Sequence, residues 1–146
     1  IKDELINPVM EKYKDLNIKV LKNKNYELLS SSDALILASG TVALEAALYN
    51  TPMIISYKGP MFLYLVYMLV RCIKRVCLPN IIMNQDIVPE ILQFKAKPKV
   101  IFEEVNKILN DEKYKNNMVQ MLKNVKQKLS TSAAAQKTAE IIVNNI

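Results

Sequence analysis

The chain has 146 residues, of which 51% are hydrophobic and 23% are charged, and it carries a net charge of +6 at pH 7. This length and composition predict one globular domain with a hydrophobic core and argue against a disordered chain. The basic balance favours an anionic partner such as a nucleotide or a phospholipid head group. The lysines are scattered rather than grouped in one block, so we expect no nucleic acid as partner.

The cysteine and histidine content limits the chemistry available to the chain. Histidine is absent, and the two cysteines, Cys72 and Cys77, do not have a metal-ligand spacing. We expect no metal and no cofactor, and we interpret both cysteines as reduced cytosolic thiols that pack as small hydrophobes. The commonest general base is also missing, so if the protein is an enzyme we expect its general base to lie outside this chain.

The start of the chain is charged and does not resemble a signal peptide. Ile1 stands where a complete reading frame has methionine, and Lys2, Asp3 and Glu4 follow directly. We therefore interpret the chain as a piece cut from a longer protein.

Short apolar runs and helix-forming runs alternate over the first half of the chain. We predict strands at 18–21, 34–38, 53–57 and 75–78, and helices at 3–15, 25–31 and 42–49. Strands that alternate with helices across short connections predict a parallel sheet with helices on both faces. The expected fold is therefore an α/β, Rossmann-like three-layer domain.

The second half of the chain has a helical pattern. We predict helices at 87–94, 99–109, 113–129 and 133–146, with Asp111 and either Thr131 or Ser132 as N-caps. This change divides the chain into a Rossmann-like domain at 1–110 and C-terminal helices at 111–146. We expect the helices to pack on that domain or on a partner domain.

The clearest functional feature is the junction between the strand 34–38 and the helix 42–49. Ser39, Gly40 and Thr41 form this junction; serine and threonine are good N-caps, and glycine allows close approach of a ligand. A strand-turn-helix junction directs main-chain N–H groups toward an anion, most often a phosphate. The junction lacks both the P-loop lysine and the GxGxxG pattern, so an ordinary strand-to-helix turn remains the alternative.

Glu45 is the one charged residue in the helix 42–49, where its neighbours are apolar or alanine. An unpaired buried carboxylate is costly, so we expect this side chain to face a cleft or a specific donor. A carboxylate that accepts two adjacent hydroxyl groups is the usual way to bind a ribose. The alternative is a glutamate that faces solvent.

The segment 61–70 is apolar or aromatic throughout and is followed by basic residues. It is shorter than the roughly 20 residues needed to span a bilayer. Basic residues next to apolar and tyrosine side chains favour an interfacial helix on an anionic lipid surface, and burial against the sheet or a partner subunit is the alternative. The predicted membrane contacts are Met61, Phe62, Leu65, Arg71, Lys74 and Arg75.

Four segments, in order and spacing, resemble the lipid-A-disaccharide synthase family: ASGTVALE at 38–45, PMIISYK at 52–58, LPN at 78–80 and VPEILQ at 88–93. Members of that family are inverting GT-B glycosyltransferases that use a UDP-sugar. The first segment alone is shared with other GT-B enzymes, whereas the set of four is more specific. The resemblance implies that the chain is the C-terminal, donor-binding domain of a two-domain enzyme.

The resemblance also implies a role for individual residues. Ser39, Gly40 and Thr41 would line the diphosphate site of the UDP donor, and Glu45 would bind its ribose. Asn80 would face the donor site.

One position departs from the family pattern. The family has a Gly-Arg-Glu segment after Leu-Pro-Asn, whereas this chain has asparagine, glutamine and aspartate at 84–86. Gln85 therefore replaces the family arginine in the donor site, and the guanidinium fork that could neutralise a phosphate is absent there. A lysine such as Lys58 could substitute for it.

The implied reaction transfers 2,3-diacylglucosamine from UDP to 2,3-diacylglucosamine 1-phosphate, with release of UDP. The expected partners are the UDP-sugar donor, a lipid acceptor, an anionic membrane surface, and a missing N-terminal domain or partner subunit. That missing part would hold the acceptor site and the base, so we expect this chain alone to bind UDP weakly and to catalyse nothing. The expected location is the bacterial cytoplasm, peripheral on the inner membrane.

Two other functions remain open at the level of sequence. The chain could be the donor domain of another GT-B glycosyltransferase, since these share the SGTxxLE segment. It could also be a non-catalytic, membrane-associated interaction module. Binding of UDP would favour a donor domain, and binding of lipid without UDP would favour the module.

Overall fold

The computed structural model describes residues 3–60, 74–130 and 134–144. Within these ranges the chain is an α/β fold around a parallel sheet of three strands in the order β1-β2-β3. The strands are β1 (Leu35–Leu37), β2 (Met53–Tyr57) and β3 (Glu90–Leu92). The predicted α/β class with a Rossmann-like parallel sheet is therefore confirmed.

Helices connect and flank the strands. They are α1 (Asp3–Lys12), α2 (Asn25–Ser31), α3 (Val42–Leu48), α4 (Leu78–Met83), α5 (Pro98–Asn110), α6 (Glu112–Ser130) and α7 (Ala134–Asn144), with one 3-10 turn at Gln93–Lys95. Asp111 is the N-cap of α6, as predicted. Its Oδ1 accepts a hydrogen bond from the main-chain N–H of Tyr114 at 2.9 Å. The alternative caps Thr131 and Ser132 lie outside the described residues.

Three element predictions are wrong. The segment 18–21 is not a strand, because the described residues offer it no strand to pair with. The segment 75–78 is a loop leading into α4, where Pro79 occupies the first turn as proline prefers. The segment 87–94 contains β3 instead of a helix, because the main-chain N–H of Ile55 pairs with the carbonyl of Pro89 at 2.9 Å and starts the ladder there.

The core is centred on β2 and on the helices that cover it. Met53, Ile54 and Ile55 are fully buried, and because successive strand residues point to opposite faces, both faces of β2 are covered. The α3 helix packs alanines against α6, whose Met118, Leu122 and Val125 are buried. Small residues on α3 let these two helices approach closely. The division of the chain at 110/111 stays a prediction.

Some apolar surface of the described residues is left uncovered. Ile36, in the middle of the edge strand β1, is 57% exposed although its neighbour in register, Ile54, is fully buried. The α1 helix has no buried residue, and its predicted apolar stripe, which includes Leu5 and Val9, is exposed. None of the described helices has the length and hydropathy that a bilayer span requires. The apolar segment 61–70 lies outside the described residues.

Candidate functional site

The predicted phosphate-binding turn is open to solvent. Gly40 has a φ of +156°, and an added Cβ would meet no atom within 4 Å. Thr41 stands at the N-cap position of α3, but its side chain makes no capping hydrogen bond there, so the expectation that it caps the helix is wrong. Among the described residues, no acceptor is seen for the Thr41 hydroxyl or for the main-chain N–H of Val42. These groups are therefore available to a ligand.

Ser39 connects the turn to a distant segment of the chain. Its hydroxyl does not cap α3 but donates a hydrogen bond to the carbonyl of Val76 at 3.0 Å. This contact joins positions 37 residues apart and places the loop 74–77 directly beside the turn. The two halves of the predicted donor site, at 39–45 and 80–85, are linked through this loop.

Glu90 fixes the same loop from the other side. Its Oε2 accepts the main-chain N–H of Val76 at 3.0 Å, and its Oε1 accepts that of Cys77 at 3.0 Å and the side-chain amide of Asn80 at 2.8 Å. Glu90 lies beside Ile55 in the sheet, so these bonds hold the loop 74–77 over one face of the strands. Sequence reasoning assigned Glu90 no role, although a carboxylate inside the apolar run at 87–92 carries the same signal that singled out Glu45.

Asn80 is 1% exposed, and its side-chain amide makes four hydrogen bonds within the protein. Its Oδ1 accepts the main-chain N–H groups of Ile87 and Val88, both at 2.9 Å, and its Nδ2 donates to the carbonyl of Val88 and to Glu90, both at 2.8 Å. These bonds use both amide hydrogens and both lone pairs of the oxygen. Asn80 therefore shapes the loop that carries Gln85, and its predicted contact with the donor stays a prediction.

A cleft of about 480 Å³ is lined in part by β3, which is an edge strand of the sheet that the described residues form. Asn80 and Gln85 line it, whereas Ser39, Gly40 and Glu45 do not. Its lining combines two lysines, Lys74 and Lys95, and two carboxylates, Asp86 and Glu90, with apolar side chains such as Met118. The structure thus brings Asn80 and Gln85 together in one depression, and the turn adjoins the loop 74–77 through the hydrogen bond from Ser39 to Val76.

Glu45 is half-buried on α3, where its main-chain N–H donates to the carbonyl of Thr41 at 3.1 Å, whereas its side-chain carboxylate has neither a hydrogen bond nor an ion pair among the described residues. A carboxylate in this state can accept hydroxyl groups from a ligand. Lys58 follows the carboxyl end of β2, between the turn and the end of β3, and its side chain is exposed. It belongs to the edge of a parallel sheet where ligands of α/β folds bind.

The residues predicted to contact a membrane fall into two groups. Met61, Phe62, Leu65 and Arg71 lie outside the described residues. Lys74 lines the cleft, and Arg75 forms an ion pair with Asp86, with 2.6 Å between Nε and Oδ1. Sequence reasoning missed this pairing, because no spacing rule relates two loop residues that are eleven positions apart.

Cys77 is fully buried at the start of α4, as predicted for a small hydrophobe. Burial, opposed by a backbone hydrogen bond with Asn80 and reinforced by the nearby Glu90 carboxylate, raises the pKa of its thiol to about 12. The thiolate is the nucleophile, so a thiol with this pKa is inert at neutral pH.

We predict that Cys77 does not react with Ellman's reagent at pH 8 while the chain is folded, since burial both keeps the thiol protonated and shields it from the reagent. The measurement uses a Cys72→Ser variant, in which Cys77 is the remaining cysteine. Urea should release the full reaction. Rapid reaction of the folded variant would contradict the burial of this thiol.

The family profile described as lipid-A-disaccharide synthetase matches residues 1–145. The chain belongs to this family. It is similar to the lipid-A-disaccharide synthase of Paraburkholderia xenovorans, with 32% identity over 143 residues, which cover 98% of this chain and 36% of that protein. The enzyme of the same name from Nitrosococcus oceani is 33% identical over 144 residues, with the same coverage of 98% and 36%. The chain therefore spans about a third of the length of the curated relatives it matches.

Proposed function

We propose that this member of the lipid-A-disaccharide synthase family is the donor-binding part of an inverting glycosyltransferase. The proposed donor is UDP-2,3-diacylglucosamine, the proposed acceptor is 2,3-diacylglucosamine 1-phosphate, and UDP is released. The observation that carries the proposal is the family match over 1–145. The open turn 39–41, which directs unpaired donors to solvent beside a half-buried carboxylate, supports it.

In the proposed arrangement, the turn binds the diphosphate and Glu45 binds the ribose. The main-chain N–H of Val42 and the hydroxyl of Thr41 donate to phosphate oxygens, which become more negative as the sugar leaves. Gly40 leaves room for the phosphate to approach the main chain. Glu45 accepts the two ribose hydroxyl groups, which distinguishes a ribonucleotide from a deoxyribonucleotide.

The acceptor site and the general base are proposed to lie in the two-thirds of the family's length that this chain does not cover. Inversion at the anomeric carbon requires a base on the acceptor, and this chain has no histidine. The exposed Ile36 on the edge strand β1 and the exposed apolar stripe of α1 support a partner domain, which would cover them. We also propose that the protein acts at the cytoplasmic face of the inner membrane, where its proposed lipid substrates would lie.

The proposal is tested by titrating the 146-residue chain with UDP and with 2′-deoxy-UDP while its main-chain amide signals are followed by NMR. We expect weak binding of UDP that shifts Gly40 and Thr41, and weaker binding of 2′-deoxy-UDP. A Glu45→Ala variant should bind the two nucleotides about equally, because the carboxylate that reads the ribose hydroxyls is gone. Lys123→Ala, an exposed change on α6, is the matched control and should behave as the wild type.

Two outcomes would contradict the proposal. UDP that leaves the turn 39–41 unaffected would remove the donor site from this part of the chain. Binding to anionic vesicles without any response to UDP would favour the non-catalytic membrane module instead.

A further inference from the structure

The side chain of Arg75 is held at the loop that carries Gln85. Its Nε lies 2.6 Å from Oδ1 of Asp86, and its Nη1 donates to Oδ1 of Asn84 at 2.9 Å. These two acceptors flank Gln85 in the sequence. The Arg75 side chain is 21% exposed, against 77% for Asp86, so the guanidinium is the sheltered member of the ion pair.

The guanidinium retains donors for a ligand. Arginine has five N–H donors in a planar fork, and the two bonds to Asn84 and Asp86 use two of them. The other three have no acceptor among the described residues. A fork fixed on one side by two acceptors is pre-organised to bind an anion on its remaining side.

Arg75 also lies beside the turn. The next residue, Val76, accepts the hydrogen bond from Ser39 at 3.0 Å, and the preceding residue, Lys74, lines the cleft. Arg75 therefore occupies the short stretch of chain that separates the turn from the cleft.

The turn needs a cation from elsewhere in the fold. Residues 38–48 contain no lysine or arginine, and their one charged side chain is the carboxylate of Glu45. A diphosphate next to that carboxylate would be repelled unless a positive group compensates. Lys58 and Lys74 have exposed ammonium groups, whereas the guanidinium of Arg75 is already positioned by two hydrogen bonds.

We infer that Arg75 provides the guanidinium that binds the anionic diphosphate in this chain, in place of the side chain that Gln85 cannot supply; this inference rests on the proposed function. Gln85 has an uncharged amide, whereas Arg75 brings a charged guanidinium to the same loop through its hydrogen bond with Asn84. The same placement gives Arg75 a role in the site instead of the lipid contact predicted for it from sequence.

The test is a set of variants of the 146-residue chain, titrated by NMR with UDP and with inorganic pyrophosphate. Arg75→Met should weaken binding of both probes by about tenfold or more, since it removes a charge-assisted hydrogen-bonding fork. Arg75→Lys, which keeps the charge but not the fork, should weaken it by about threefold. Adding Gln85→Arg to Arg75→Met should restore affinity to within about threefold of the wild type.

Asp86→Asn is the matched control, because it breaks the ion pair but keeps the guanidinium. It should change the affinity for both probes by no more than about threefold, because the asparagine Oδ1 can still accept from Nε of Arg75 and the removal of one negative charge near the anion offsets the loss of the ion pair. If Asp86→Asn weakens binding as much as Arg75→Met, the effect comes from the ion pair and the inference is overturned. Urea midpoints of all variants exclude unfolding as the cause.

The remaining outcomes separate this inference from the proposed function. Binding of UDP that Arg75→Met leaves unchanged overturns the inference alone. Binding of pyrophosphate that depends on Arg75, without any binding of UDP, supports the inference and contradicts the proposed function. A wild-type chain that binds neither probe contradicts both.

Discussion

Replacing Asn80 with alanine is expected to lower the free energy of unfolding by about 3–5 kcal/mol, because it leaves several buried polar groups without partners. The main-chain N–H groups of Ile87 and Val88 lose their common acceptor, and Glu90 loses one of its three donors. A buried group left unpaired costs about 1–3 kcal/mol, which is more than the hydrogen bond itself contributes. Urea denaturation of both chains, followed by circular dichroism, measures the difference.

The matched control is Asn116→Ala, an exposed position on α6. That change should alter the free energy of unfolding by no more than about 0.5 kcal/mol, because it is a surface substitution. If Asn80→Ala unfolds at the same urea concentration as the wild type, the four hydrogen bonds of this amide do not stabilise the fold. Asn80 would then be available for the donor contact that the family resemblance implies.

The Asn80 network also bears on what any mutation there can show about function. The side chain of Asn80 bonds to the main chain that follows Gln85, and the carboxylate of Glu90 accepts from the main-chain N–H of Val76. The carbonyl of Val76 in turn accepts from the hydroxyl of Ser39. Loss of nucleotide binding in an Asn80 variant would therefore report a displaced loop as readily as a lost contact. The Glu45 variant is more informative, because its carboxylate makes no hydrogen bond among the described residues, whereas the Arg75 variants need the Asp86→Asn control because Arg75 also bonds to the loop of Gln85.

Local patterns predicted the parts of the fold that local chemistry decides. The limits of β2 and α2 follow from sequence to the residue, since proline, glycine and serine punctuate an apolar run at 53–57 and a polar helix at 25–31. The turn 39–41 was located for the same reason. The hydrogen bonds of its side chains were not predicted, because the hydroxyl of Ser39 bonds to the carbonyl of Val76, a residue that no local sequence rule brings near.

The part of the predicted site at 80–85 depends on contacts between residues that are distant in the sequence. The spacing of residues in a single sequence does not predict such contacts. The apolar residues at 87–92 fit a helical period, yet the ladder to β2 makes them a strand. Arg75 follows a predicted membrane segment, and its sequence context gave no sign of Asp86. Four segments that resemble one family predict the site region, and the hydrogen bonds among them show that Glu90 and Asn80 position its loops.

Replacing Leu122 with alanine is expected to lower the free energy of unfolding by about 3 kcal/mol, because it opens a cavity in the middle of the core. Leu122 is fully buried on α6, on the same side of the helix as the buried Met118 and Val125, and α6 packs against α3. Lys123→Ala, at the adjacent exposed position, should change the free energy of unfolding by less than about 0.5 kcal/mol. Equal urea midpoints for the two variants would mean that α6 is not part of the core.

The same packing predicts the behaviour of a chain that ends at residue 110. Such a chain would expose Ala46 and Ala47 of α3 together with Ile108 of α5, all of which are fully buried. Because α6 packs against both of these helices, we expect residues 1–110 to lack a cooperative urea transition and dispersed NMR signals. A cooperative transition from residues 1–110 alone would instead support the division at 110/111 and make 111–146 an appended tail. In that case the effect of Leu122→Ala would be confined to the docking of the tail and would leave the nucleotide site intact.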